Sequence, residues 1–304
     1  MESNIAMLPH AALGGQEPVL DPPRTLRARR TSPIGEILIV SGKLTEVDVK
    51  RILKAQSDEP IRFGELAIKL GLLDDGDIRH ALARQFSYPY LDERTAKVSR
   101  ELFTAFRPFS RDVEQLRDLR SKLILTWFRR NRQGLAMVGT RTGSGCSYLT
   151  ANLGVLFAQT GVNTLIVDAD LRTPRQHVMF RAANRIGLTD VLSGRNAAEA
   201  IVPIEELPGL SLLPSGALAP NPQELLVGDE LPELMHALSR KYAVVLVDTS
   251  PCLLSADAQT VISAVGGAAI VVRKDRTPLA EISIVQEQCE TAGAQLVGSI
   301  FNRY

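Results

Sequence analysis

Leu135-Ala136-Met137-Val138-Gly139-Thr140-Arg141-Thr142-Gly143-Ser144-Gly145-Cys146-Ser147 is the stretch on which the fold turns. Four apolar residues read as a buried strand, three glycines open a turn, and a helix pattern follows through 148–159. A glycine-rich turn between strand and helix lets backbone N–H groups converge on an anion, helped by the positive end of the helix. Ser147 stands where the hydroxyl of a phosphate loop contacts Mg2+, and Thr142, Gly143, Ser144, Gly145, Cys146 and Tyr148 make up the expected nucleotide-binding turn. Cys146 occupies the place where such a loop carries a lysine. Taken alone, the turn is also compatible with a purely structural glycine corner.

Two acidic strand ends strengthen the phosphate reading. Leu165-Ile166-Val167-Asp168-Ala169-Asp170-Leu171-Arg172 sets two carboxylates at the end of an apolar run. In that position, carboxylates can hold metal-bound water and accept a proton from a hydroxyl. Val244-Val245-Leu246-Val247-Asp248-Thr249-Ser250-Pro251 has the form of a Walker B strand, whose Asp248 would hold metal water from the opposite side. Asp168, Asp170 and Arg172 are the candidate catalytic residues; Ser147, Asp168 and Asp248 are the candidate Mg2+ site. Together the three turns point to ATP with Mg2+.

Outward from these motifs, strand-like runs at 135–138, 164–167, 210–213, 244–247, 268–272 and 296–301 alternate with helical stretches. This predicts an α/β fold over 111–304, a mostly parallel P-loop NTPase sheet with helices on both faces. The hydrophobic share of 45% and charged share of 23% are those of a soluble globular protein. A net charge of +1 gives no reason to expect nucleic acid. Apolar runs near 149–158 and 262–272 are interrupted and fall short of the roughly 18 residues a membrane span needs. No signal peptide is visible, and three cysteines without metal spacing fit a reducing cytoplasm.

The N-terminal third is organised differently. Residues 1–32 lack apolar periodicity and carry Arg24, Arg27, Arg29 and Arg30, which predicts a disordered leader. Over 33–91 the chain repeats itself at an offset of 29 residues: Ile34-Gly35-Glu36-Ile37 answers to Phe63-Gly64-Glu65-Leu66, Gly42 to Gly71 and Val49 to Ile78. Each copy reads as two helices, the first ending at Gly42 or Gly71 and the second capped near Thr45 or Asp74. The small helical repeat domain is followed by an expected linker over 92–110.

With these motifs in hand, residues 111–304 resemble the bacterial tyrosine kinases of exopolysaccharide export, in particular the chain-length-determinant kinases, relatives of the MinD and ParA ATPases. The resemblance rests on Asp168, Asp170 and Arg172, and on Leu213-Pro214-Ser215-Gly216 followed by Asn221-Pro222-Gln223-Glu224-Leu225-Leu226. Glu114, Arg117 and Arg120 match the family's self-association helix, which implies a homo-oligomer. The resemblance also implies that Asp257 lies on the metal or phosphate side and Asn302 near the adenine. It further implies a membrane-embedded polysaccharide chain-length regulator as partner, with this cytoplasmic chain peripheral at the inner face of the plasma membrane.

Departures from the family bear on activity. Loss of the lysine at Cys146 is expected to lower ATP affinity or turnover by about ten- to a few hundred-fold. Arg141, where ParA-type loops carry an additional lysine, is either a partial replacement or a solvated loop arginine. The chain ends at Tyr304 directly after its last strand-like run, so the family's tyrosine-rich tail is expected to be missing. A non-catalytic nucleotide-binding regulator and a MinD- or ParA-like ATPase without kinase activity remain alternatives. The 33–91 repeat resembles the N-terminal domain of type II secretion and pilus-extension ATPases, some of which bind cyclic di-GMP. Here Arg62-Phe63-Gly64 keeps the relevant start but Pro33-Ile34-Gly35 does not, so a protein-docking module is the favoured reading.

Overall fold

The computed structural model describes residues 33–58, 60–85, 90–130, 132–195 and 199–303; the expected leader over 1–32 and the terminal Tyr304 lie outside the described residues. The chain divides into two compact units. One gathers the described residues up to Tyr90 with Arg107–Ser110; the other holds Leu91–Phe106 and everything described from Arg111 onward.

The first unit is the tandem repeat. Helices α1 (Ile34–Val40) and α2 (Glu46–Asp58) form one copy, and α3 (Phe63–Lys69) and α4 (Asp75–Gln85) the other. Each first helix ends at a glycine with positive φ, +70° at Gly42 and +68° at Gly71. Each second helix opens on a reciprocal capping box. The Asp48 amide donates to Thr45 Oγ1 (3.2 Å) while the Thr45 amide donates to Asp48 Oδ2 (2.9 Å). Asp74 and Asp77 repeat the exchange at 2.8 and 3.2 Å. Equivalent positions of the two copies, Leu38 with Ala67, Leu44 with Leu73 and Ile52 with Ala81, fill one shared core. Lys43 Nζ of the first copy pairs with Asp77 of the second at 2.8 Å.

The second unit is built on seven strands: β1 (Gly134–Gly139), β2 (Thr164–Ala169), β3 (Val202–Pro203), β4 (Leu210–Leu213), β5 (Val244–Thr249), β6 (Gly267–Arg273) and β7 (Gln295–Asn302). Their order is β3-β4-β2-β5-β1-β6-β7. All neighbours are parallel except β3 and β4. Strands buried on both faces read as unbroken apolar runs, which is why five of them were legible without alternation. Leu135 and Met137 of β1 enter one core while Ala136 and Val138 enter another on the opposite face.

Helices supply both layers. In chain order they are α5 (Phe103–Phe106), α6 (Arg111–Thr126), α7 (Cys146–Ala158), α8 (Gln176–Met179), α9 (Leu188–Leu192), α10 (Pro222–Val227), α11 (Glu230–Lys241), α12 (Asp257–Val265) and α13 (Leu279–Thr291). Helix α7 follows the glycine turn and is buried along its length from Leu149 to Ala158, as its lack of a polar face requires. Leu231, Leu234, Met235 and Leu238 give α11 the i, i+3, i+4, i+7 stripe of a helix with one face on the core.

Two features go beyond the sequence reading. Strand β3 is a two-residue antiparallel edge, too short to leave a periodic signal. Within the expected linker over 92–110, Val98, Leu102, Ala105 and Phe106 pack against Ala151, Val155 and Met179. The Thr104 amide and hydroxyl also donate to Asn152 Oδ1, at 3.2 and 2.9 Å. The interspersed charges of this segment hide an apolar face that only α7 reveals.

Candidate active site

The chain steps from β1 to β2 on one side and reaches β6 on the other, so a topological switch lies at the C-terminal end of β1. Crevices at such points are the usual ligand sites of open α/β sheets. The glycine turn occupies this one. Gly143 and Gly145 have φ of +84° and +87°, a conformation that costs a side-chain-bearing residue about 1–2 kcal/mol. Gly145 is the N-cap of α7, so the first amides of a 13-residue helix open into the turn. An open cavity of about 340 Å³ lies over it, lined by Arg141 through Tyr148 and by Asp170.

Asp168 and Asp248 lie beneath this cavity, both fully buried. Strands β2 and β5 pair in a register that sets these two residues side by side. Asp168 Oδ2 accepts the amides of Arg175 (3.1 Å) and Gln176 (2.9 Å). Asp248 Oδ2 accepts Gln176 Nε2 at 2.8 Å. The second oxygen of each, Oδ1, is buried without a hydrogen-bond partner. Burial, and next the neighbouring Asp248 charge, push the Asp168 carboxyl well above the usual carboxylate range. Burial pushes Asp248 up to about 6, against the lowering effect of Gln176 and the Ser147 hydroxyl.

Orphaned buried carboxylate oxygens beside a serine hydroxyl form a hard-oxygen donor set, the type Mg2+ prefers. Among the described residues, no three acidic, histidine or cysteine side chains converge as a closed metal cage. Mg2+ needs none, since it keeps several waters and is held through one or two carboxylates beside substrate phosphates. The residues therefore fit a hydrated Mg2+ held from Ser147, Asp168 and Asp248.

The remaining predicted residues are placed as follows. Asp170 lines the cavity and closes its own turn: it accepts the amides of Arg172 (3.2 Å) and Thr173 (2.9 Å) and the Thr173 hydroxyl (2.7 Å). Arg172 does not line the cavity. Its Nε and NH2 grip both oxygens of Asp257, at 2.6 and 3.1 Å, so Asp257 serves an ion pair. The Cys146 thiol turns inward and donates to the Met137 carbonyl at 2.8 Å. Burial, followed by the Asp248 charge, raises its pKa and disfavours a reactive thiolate. Asn302 Nδ2 donates to the Ser144 carbonyl at 3.1 Å, which puts the end of β7 against the turn. The Tyr148 ring stacks on Phe103, with centroids 5.7 Å apart. On α6, Arg117 pairs with Glu114 of its own helix, and Arg120 NH1 donates to the Leu156 carbonyl at 2.8 Å.

Sequence reasoning missed several neighbours. Glu101, Thr173 and Arg175 line the cavity, and Arg273 NH1 donates to the Gly143 carbonyl at 3.3 Å. Thr173 and Arg175 follow Asp168-Ala169-Asp170 closely enough to have been suspected; Glu101 and Arg273 had no local signal.

No family model matches the chain. Tyrosine-protein kinase YwqD of Bacillus subtilis is 32% identical over 209 residues, covering 69% of this chain and 88% of that protein. Tyrosine-protein kinase etk of Escherichia coli is 29% identical over 227 residues, which are 70% of this chain but 31% of that protein. The chain likewise spans only 36% and 41% of relatives from Klebsiella pneumoniae and Ralstonia solanacearum. Among solved structures, the kinase domain of Escherichia coli tyrosine kinase ETK superposes with a TM-score of 0.64 at 30% identity, over 66% of this chain and 79% of that one. The septum site-determining protein MinD from Pyrococcus horikoshii, complexed with Mg-ADP, superposes with a TM-score of 0.50 at 25% identity, over 57% of this chain and 71% of that one.

Proposed function

The chain belongs to the bacterial tyrosine-protein kinase family, and from that premise we propose that it binds Mg-ATP at the glycine turn and transfers phosphate to tyrosine in exopolysaccharide or capsule assembly. The observation carrying this reading is the pair Asp168 and Asp248, side by side under the turn, each with one buried oxygen left without a partner. The amides of 143–147 would cradle the phosphates, and Ser147, Asp168 and Asp248 would hold Mg2+. When bound, Mg2+ would neutralise charge on the phosphates. Asp168, its pKa raised by burial, is also the candidate general base for the tyrosyl hydroxyl. Asp170 shapes the turn that carries Thr173 and Arg175 beside the same cavity.

By analogy with the family, the partner is a membrane-embedded chain-length regulator, and the chain acts peripherally at the inner face of the plasma membrane. Among the described residues no helix is long and apolar enough to cross a membrane. Self-association through Glu114, Arg117 and Arg120 belongs to the same proposal. Residues 33–91 would dock a protein. Cyclic di-GMP is not favoured there: a Cβ on Gly64 would lie 3.0 Å from Ile78, and one on Gly35 would lie 3.3 Å from Val49. Both glycines thus have a packing reason to be present, independent of any ligand.

A second reading, a nucleotide-binding regulator without phosphotransfer, draws on Cys146, whose thiol donates to the Met137 carbonyl and brings no positive charge to the turn. Incubating the purified chain with labelled ATP and Mg2+, then scoring phosphotyrosine and free phosphate separately, tests the proposal. Phosphotyrosine supports the kinase, free phosphate alone a MinD-like ATPase, and neither product with retained binding the regulator.

A further inference from the structure

The turn lacks its lysine, yet one of its own residues carries a cation that the fold holds in place. Arg141 lines the cavity with its side chain 67% exposed, and its Nε contacts Glu281 Oε1 at 2.7 Å. Glu281 is no chance surface partner. It lies in the first turn of α13, 140 residues away in the chain, and is only 8% exposed. The amino end of a helix favours a carboxylate. Its second oxygen is buried with no partner, so the contact with Arg141 falls on Oε1 alone.

The contact uses only the Nε edge of the guanidinium, and both terminal nitrogens keep donors for another anion. The same β6–α13 connection holds the turn at a second point, through Arg273 and the Gly143 carbonyl. Arg175, the other arginine lining the cavity, has its NH2 on both oxygens of Glu101.

We infer that Glu281 is the positioning residue for Arg141, presenting that arginine to the nucleotide phosphates in place of the lysine Cys146 displaces. The inference rests on the proposed nucleotide reading. It assigns phosphate recognition partly to α13, an element that carries no part of the phosphate-loop or acidic motifs.

Calorimetric titration of the full chain with ATP, ADP and AMP in Mg2+ tests it, with melting curves to check that each variant is folded. Arg141→Ala should weaken ATP binding about tenfold or more, ADP binding less and AMP binding little. Glu281→Ala should reproduce that phosphate-dependent pattern, and Glu281→Gln, which keeps an acceptor for Nε, should lose less. The double variant should be no worse than Arg141→Ala alone. A Glu281→Ala chain that binds ATP as well as wild type or better would overturn the inference, as would equal losses for AMP and ATP, or additive losses in the double variant. A wild-type chain that binds none of the three nucleotides would overturn the nucleotide reading and this inference with it.

Discussion

Asp168 on β2 and Asp248 on β5 are register partners in adjacent parallel strands, fully buried, each with a carboxylate oxygen that meets no donor. Two carboxylates so placed repel each other and lose hydration, an arrangement unfavourable in the metal-free protein. Their use lies in what they can bind. The strain is stored at the site and supported by the sheet around it.

Asp248→Asn is expected to stabilise the metal-free protein at neutral pH while abolishing its response to Mg2+. Burial pushes the Asp248 carboxyl up to about 6 in the folded state, above its ordinary 3.8. Between those values the folded state binds more protons than the unfolded one, so this group makes stability fall as pH rises through the window. The penalty is complete above pH 6 and amounts to at most about 3 kcal/mol. The melting temperature of the variant should exceed that of wild type at pH 7, and the gap should close towards pH 4. A gap independent of pH would show that Asp248 does not carry the penalty.

Cys146→Lys should tighten ATP binding by about tenfold, because a charge-assisted contact to phosphate is restored. The new side chain must leave the inward path that the thiol takes to the Met137 carbonyl. The same substitution placed on Arg141→Ala should recover most of the lost affinity. No recovery in calorimetry would mean that the two positions do not serve the same phosphates.

Arg172→Ala should cost stability through Asp257, whose side chain is 1% exposed and loses both hydrogen bonds. Leaving a buried carboxylate unpaired costs on the order of 3 kcal/mol. Urea unfolding of the variant measures this. An unchanged midpoint with lost phosphotransfer would return Arg172 to the catalytic role first assigned to it.

The proposed self-association helix separates into two tests. Arg120→Ala removes a donor to the Leu156 carbonyl inside the chain and should lower stability by about 1 kcal/mol. Glu114 has a side chain 59% exposed, and its pair with Arg117 lies within one helix, so Glu114→Ala should change stability by less than about 0.5 kcal/mol. Sedimentation of Glu114→Ala should nevertheless show a smaller particle. An unaltered mass would exclude Glu114 from the interface.

The amino-acid sequence by itself determined the features governed by local backbone physics. Gly143 and Gly145 mark a turn that needs positive φ, and the apolar runs leading into Asp168 and Asp248 mark parallel strands that carry these carboxylates one residue before their C-terminal ends. The 29-residue repeat foretold four helices and the capping residues Thr45 and Asp74. Tertiary structure alone decided which side chains meet across long separations: Arg141 with Glu281, Arg172 with Asp257, and residues 91–106 with α7. It also set the Cys146 thiol on the Met137 carbonyl. Such pairings depend on strand order and register, set by packing of the whole sheet, and no local period or spacing in the chain encodes them.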